Sequence, residues 1–153
     1  MRRAMLLLAF GLATLAHPMA TSAGANGSEN ATACVFTTQL RATNEVPPTN
    51  STAFGHTQIK VRASGTIEFK TQIVNPDNET FVAGHIHFAP EGVNGPVVQP
   101  IFEDGPTSDS QIKQSGEREN PALGAAICAN PELYYVNYHT TANPGGAIRG
   151  QLG

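Results

Sequence analysis

The chain has 153 residues, of which 14% are charged, and its formal net charge is −3 with the histidines neutral. This length allows one domain built around one hydrophobic core. Nine basic residues stand against twelve acidic ones and form no basic cluster, so we expect no nucleic-acid partner.

The N-terminal residues have the pattern of a secretory signal peptide. Arg2 and Arg3 precede an apolar stretch from Ala4 to Ala16, and small residues follow it. We expect a signal peptide over residues 1–23, a flexible leader over 24–33, and a secreted domain over 34–153. The alternative is a membrane anchor, but the apolar stretch is short for a bilayer, and the sequence predicts no other membrane span.

Apolar and polar residues alternate along most of the chain from Cys34 onward, which predicts half-buried β-strands. Ser64–Gly65 separates two such segments and predicts a hairpin. The core face of the segment that contains Gly84–His87 is assigned to Val82, Ile86 and Phe88. The apolar members that we expect to form the core are Phe36, Ile59, Val61, Ile67, Phe69, Ile86, Val136 and Ile148.

Residues 103–120 are mostly polar and are predicted to be a surface excursion. Asn120 followed by Pro121 is typical of a helix N-cap and first helical position, so a short helix is expected near 120–129. Pro144–Gly145 suits the centre of a type II turn, with Gly145 taking the positive φ. The predicted fold is all-β: an antiparallel β-sandwich or flattened Greek-key barrel with one short helix.

Two residue types bear on export. Cys34 and Cys128 are the only cysteines, and an even count in an exported chain predicts a disulfide; two separate buried thiols are the alternative. Four Asn-x-Ser/Thr sequons could carry glycans in a eukaryotic-type secretory route. Their asparagines are Asn26, Asn30, Asn50 and Asn78.

The histidines are the strongest candidate for a functional site. His85 and His87 lie two residues apart in a predicted strand, so both point away from the face that Ile86 occupies. If that strand lies beside the C-terminal hairpin, His139 joins them on the outward face. Three imidazoles on one sheet can bind copper or zinc, with a water molecule as the remaining ligand of the ion. Cross-strand hydrogen bonding without a metal is the alternative.

Two polar residues of the final hairpin are predicted to accompany the histidines. Asn137 and Arg149 share the outward face, where they could bind an anion or support the ligands. His56 falls on the polar side of its strand with Gln58 and Lys60 and is expected to reach solvent. Glu45, beside two prolines, is interpreted as part of a structural turn. No hydrolase, nucleotide-binding or redox-cysteine motif is present, so enzyme activity is not indicated.

Three segments together resemble the CHRD domain, the module first described in chordin. They are Asn44–Pro48, Gly84–His87 and Tyr135–Gly150, and the resemblance runs from about Phe36 to Leu152. It implies a secreted, non-enzymatic binding or structural module with an extracellular protein or matrix ligand. Chordin captures growth factors, but this single domain lacks chordin's cysteine-rich modules, so that ligand is not carried over.

A fainter resemblance is to the β-sandwich of Cu/Zn superoxide dismutase, which carries a copper-binding His-x-His. It implies that His85, His87 and His139 would hold copper and that Arg149 would attract a small anion. No zinc-loop cluster of His and Asp follows residue 87. The alternative function is therefore a copper- or zinc-binding metalloprotein with a dismutase-like histidine site.

Overall fold

The structure, a computed structural model, describes residues 28–102 and 104–153. The predicted signal peptide and the sequon at Asn26 lie outside these ranges. Within them the chain forms eight strands and one α-helix: β1 Thr32–Arg41, β2 Phe54–Arg62, β3 Thr66–Val74, β4 Phe81–Phe88, β5 Val97–Pro100, β6 Gln111–Glu119, α1 Pro121–Ala129, β7 Tyr134–Thr140 and β8 Ile148–Gln151. None of the helices described there has the length and apolar character needed to cross a bilayer.

The eight strands form one antiparallel sheet in the order β5-β4-β7-β8-β1-β2-β3-β6. The sheet curls until its two outermost strands meet through side chains. Arg118 Nε donates to the Pro100 carbonyl at 3.0 Å, and Asn120 Nδ2 donates to Gln99 Oε1 at 3.2 Å. The predicted all-β fold with one short helix is confirmed, and the curled sheet has the character of a flattened barrel.

The interior of the curled sheet holds the predicted core. Seven of the eight residues named from the sequence are buried there, and the eighth, Phe36, is partly buried and packs against them. Successive residues of a strand point to opposite faces, so the alternation was sufficient to assign the inward face. The inward face inferred from the sequence is therefore right at these positions, including Ile86 on β4 and Val136 on β7.

Two assignments in the sheet were wrong. Residues 111–119 are not a surface excursion but the edge strand β6, paired to β3 along its length. An edge strand buries little, and here only Ile112 and Gln114 are buried, which leaves almost no apolar alternation to detect. In β4, Val82 and Phe88 are 41% and 43% exposed. A register shift between residues 81 and 83 brings Phe81 into the core in place of Val82.

The helix and the disulfide form as predicted. The Asn120 side chain accepts a hydrogen bond from the Leu123 backbone N–H, which caps α1, and Pro121 occupies the first turn. Cys34 and Cys128 are bonded, so the disulfide joins β1 to α1. The two bonded cysteines are 94 residues apart in sequence, so the disulfide closes a long loop of the chain.

The turn between β7 and β8 differs from the prediction in one residue. The positive φ belongs to Gly146, at 137°, and not to Gly145. A Cβ on Gly146 would lie 2.5 Å from Asn137 Nδ2 and 2.7 Å from Glu45 Oε2. Glycine is required at residue 146 both for its backbone angle and because two buried polar side chains occupy the space beside it.

Candidate metal centre

The pairing of β4 with β7 brings the three histidines together. His85 lies opposite Asn137 and Ala83 opposite His139, on the sheet face that points away from the core. The ring centroids are 4.9 Å apart for His85 and His139, 5.6 Å for His85 and His87, and 5.8 Å for His87 and His139. One nitrogen from each ring lies within 4.8 Å of the other two.

The outward sheet face, to which the sequence assigned the three histidines, is covered at this point. His87 is only 7% and His139 only 8% exposed, whereas His85 is half-buried. Two loops cover them: Gly95 lies in the loop between β4 and β5, and Pro144 in the loop between β7 and β8. Their carbonyl oxygens lie 2.9 Å from His87 Nδ1 and 3.0 Å from His139 Nδ1.

These two carbonyl contacts fix the tautomers of the covered rings. A carbonyl only accepts, so His87 and His139 must each carry their proton on Nδ1, which leaves Nε2 with a free lone pair. His139 Nε2 lies 3.0 Å from His85 Nδ1 and accepts a hydrogen bond from it. His87 Nε2 is buried and has no hydrogen-bond partner among the described residues.

All three imidazoles are held in the neutral form, which is the form that binds metals. Burial lowers the pKa of His85 to about 4, with further lowering from the neighbouring His139 and His87. Burial also lowers the pKa of His87 and of His139, against the opposing effect of their carbonyl partners. Protons therefore compete with a metal less effectively than at an exposed histidine.

The nitrogen separations are close to those of a coordination site. Two nitrogens on one ion, each about 2.0–2.1 Å from it, lie about 3–4 Å apart. The separation of 3.0 Å between His85 Nδ1 and His139 Nε2 fits that range. The widest separation, up to 4.8 Å, requires one ring to move by about 1 Å toward the others, which a small χ rotation supplies.

A stacked column supports His87 from behind. The Tyr135 ring stacks on the His87 ring, with 4.7 Å between the centroids and 13° between the planes. The guanidinium of Arg149, on the neighbouring strand β8, lies 3.4 Å from the centroid of the Tyr135 ring. The Tyr135 hydroxyl also accepts from the Gly95 N–H at 3.1 Å. Gly95 is thus bonded both to His87 and to the residue on which His87 stacks.

Arg149 is only 1% exposed, and its terminal nitrogens bind the covering loop. One donates to the Val93 carbonyl at 2.9 Å and the other to the Pro90 carbonyl at 3.2 Å, with Asn94 and Gln151 as further acceptors. The sequence predicted either anion binding or support of the ligands for Arg149 and Asn137. For Arg149 the hydrogen bonds favour support, since both of its terminal nitrogens already have acceptors.

Glu45 is a buried member of this face that the sequence did not identify as a site residue. Its Oε2 accepts from Asn137 Nδ2 at 3.3 Å, while Glu45 Oε1 and Asn137 Oδ1 are buried without partners among the described residues. Burial raises the pKa of Glu45 to about 7, although Arg149 and Asn137 act in the opposite direction. The sequence signal for Glu45 was its place in the Asn44–Pro48 segment, which is part of the family resemblance. No feature of the β7 sequence indicated that Tyr135 would stack on His87.

The family model of the CHRD domain matches residues 36–152, which is most of the chain and includes every residue of the site described above. The chain belongs to the CHRD domain family. No curated protein and no solved structure matches this CHRD domain significantly.

The other predicted positions in this CHRD domain lie apart from the histidine cluster. His56 is exposed on β2, as predicted. The sequon asparagines Asn30, Asn50 and Asn78 are all exposed, so a glycan at any of them would extend into solvent. Asn78 sits in the turn after β3 with a φ of 50°.

Proposed function

We propose that this protein is a secreted CHRD-domain protein that binds one copper or zinc ion through His85, His87 and His139. The observation that carries the proposal is the buried, unpartnered Nε2 of His87 beside two further imidazoles. A buried acceptor left without a partner costs about 1–3 kcal/mol. A metal ion bound by Nε2 would remove that cost and use the tautomer that the Gly95 carbonyl already selects.

Hydrogen bonding alone accounts for the cluster less well. It explains the contact between His85 and His139, which is a hydrogen bond of 3.0 Å. It gives no partner to His87 Nε2, although the ring is held in place by a hydrogen bond and a stacking contact. A metal would engage all three rings, and His85 would then carry its proton on Nε2, because the ion replaces the proton shared with His139.

Secretion is supported by independent features of the chain. The Cys34–Cys128 disulfide is typical of an oxidising compartment, and three sequon asparagines are exposed. The N-terminal pattern of a signal peptide points the same way. A non-enzymatic extracellular binding or structural module is the second candidate function; it rests on the family match, and its partner would be an extracellular protein or matrix component.

Metal content tests the proposal and separates the two candidates. The mature protein is secreted from a host supplied with copper and zinc, and its metals are measured by elemental analysis. We expect about one ion per chain in the wild type and much less in His87→Ala. His56→Ala, which removes an exposed histidine from a distant strand, is the matched control and should retain the ion. Equal metal content in all three proteins would reject the site and leave the second candidate.

A further inference from the structure

The three imidazoles bring no negative charge to a bound ion. In the part of the chain that the structure describes, the one group of possible ligand residues consists of these histidines alone, without a carboxylate or a thiolate. Histidines that bind zinc are often oriented by carboxylates, which raise the basicity of the ring. Here the partners of His87 and His139 are the backbone carbonyls of Gly95 and Pro144. Those partners orient the rings without supplying a formal charge.

A buried cation lies behind the site. The Arg149 guanidinium is 3.4 Å from the Tyr135 centroid, which is 4.7 Å from the His87 centroid. Because Arg149 is almost fully buried, solvent ions screen its charge weakly. Two carboxyl groups act on it: Glu91, which is exposed to solvent, and Glu45, whose pKa is raised by burial to about 7. Near neutral pH, Glu45 therefore offsets only part of the positive charge of Arg149.

We propose that this site selects monovalent copper, Cu(I), over the divalent ions Zn(II) and Cu(II). The inference rests on the proposed function, since it requires that the three histidines bind a metal. The cost of moving an ion from water into low-dielectric surroundings rises steeply with its charge. Imidazole is a suitable copper ligand, and a d¹⁰ monovalent ion is stable with three ligands. The second positive charge of a divalent ion is therefore disfavoured for two reasons. The buried ligands carry no negative charge to offset it, and the nearby Arg149 guanidinium repels it.

The contribution of Arg149 can be estimated from the column. The guanidinium carbon lies no more than about 8 Å from the His87 ring, which places it roughly 10 Å from a bound ion. At an effective dielectric constant of about 20, the repulsion by Arg149 at that distance weakens the binding of a divalent ion, relative to a monovalent one, about 15-fold. Removing the charge of Arg149 should therefore narrow the preference for Cu(I) over Zn(II) about 15-fold.

Competition with chromophoric chelators tests the selection. Cu(I) affinity of the secreted protein is measured anaerobically with ascorbate present, and Zn(II) and Cu(II) affinities are measured with their own indicators. We expect Cu(I) to bind at least about 100-fold more tightly than Zn(II), as the combined result of the neutral ligands and the buried cation. Arg149→Gln should narrow this ratio about 15-fold. Arg41→Gln, the matched control, removes an exposed arginine that pairs with Arg149 in strand register and should leave the ratio unchanged.

The outcomes distinguish the two proposals. Zn(II) or Cu(II) binding as tightly as Cu(I) would overturn the monovalent selection while the histidine metal site stands. Failure to bind any of the three ions would reject the site itself and the selection with it. An unchanged ratio in folded Arg149→Gln would also contradict the electrostatic argument. If Arg149→Gln does not fold, the wild-type ratio decides the question alone.

Discussion

Replacing Glu45 by glutamine should stabilise the protein above neutral pH. Glutamine has nearly the same shape, and its carbonyl oxygen can accept the hydrogen bond that Asn137 Nδ2 donates to Glu45 Oε2. Its amide nitrogen can also donate toward Asn137 Oδ1, which is buried without a partner among the described residues. The substitution thus reproduces the protonated form of Glu45 and removes the ionised one.

The expected magnitude follows from the raised pKa of Glu45, about 7 in the folded protein against 4.5 ordinarily. Below pH 4.5 the carboxyl is protonated in both states. Between about pH 4.5 and 7 the unfolded state loses the proton first, so the folded state loses stability as the pH rises, and the loss is complete above 7. The shift corresponds to about 3 kcal/mol in total, of which about 2.5 kcal/mol develops between pH 5 and 8.

Urea unfolding of wild type and Glu45→Gln at pH 5 and pH 8 measures this effect. The stability advantage of the variant should grow by about 2.5 kcal/mol from the lower to the higher pH. Because both proteins contain the same histidines, their titration cancels in the comparison. Glu91→Gln, which removes an exposed carboxylate that also acts on Arg149, is the control and should show no such growth. A change below about 0.5 kcal/mol for Glu45→Gln would refute the argument that burial governs this group.

Three further predictions concern the disulfide, the β7–β8 turn and the acid stability of the metal site. Replacing both Cys34 and Cys128 by alanine should lower the free energy of unfolding by about 4 kcal/mol, because the bond closes a segment of the chain between residues 94 apart; a loss below about 1 kcal/mol in a denaturant titration would contradict this. Gly146→Ala should destabilise by at least about 1 kcal/mol, whereas Gly145→Ala, whose Cβ would meet no atom within 4 Å, should be nearly neutral; equal stabilities would show that the position of the positive φ is wrong. A bound metal should be released in acid only well below pH 6.5, since burial lowers the pKa of His85 to about 4 and also lowers that of His87 and His139; half-release near 6.5 would argue against the burial described.

The sequence was sufficient for features that depend on near neighbours in the chain. Alternation of apolar and polar residues assigned Ile86 to the core and both flanking histidines to the opposite face, because a strand has a period of two. The cap at Asn120 and the start of α1 at Pro121 were equally local. The strand β6 was not predicted because an edge strand with few buried residues shows little alternation of apolar and polar residues.

The tertiary structure decided the environment of those same histidines. Strand pairing placed His139 beside His85, 54 residues away, and the covering loops then buried the cluster and fixed the tautomers. The contact between Glu45 and Asn137 joins residues 92 apart. Alternation along a strand specifies the direction of a side chain but carries no information about which distant loop will fold over it. The face of the site was thus determined locally, whereas its burial, its charge balance and its supporting residues depend on long-range contacts.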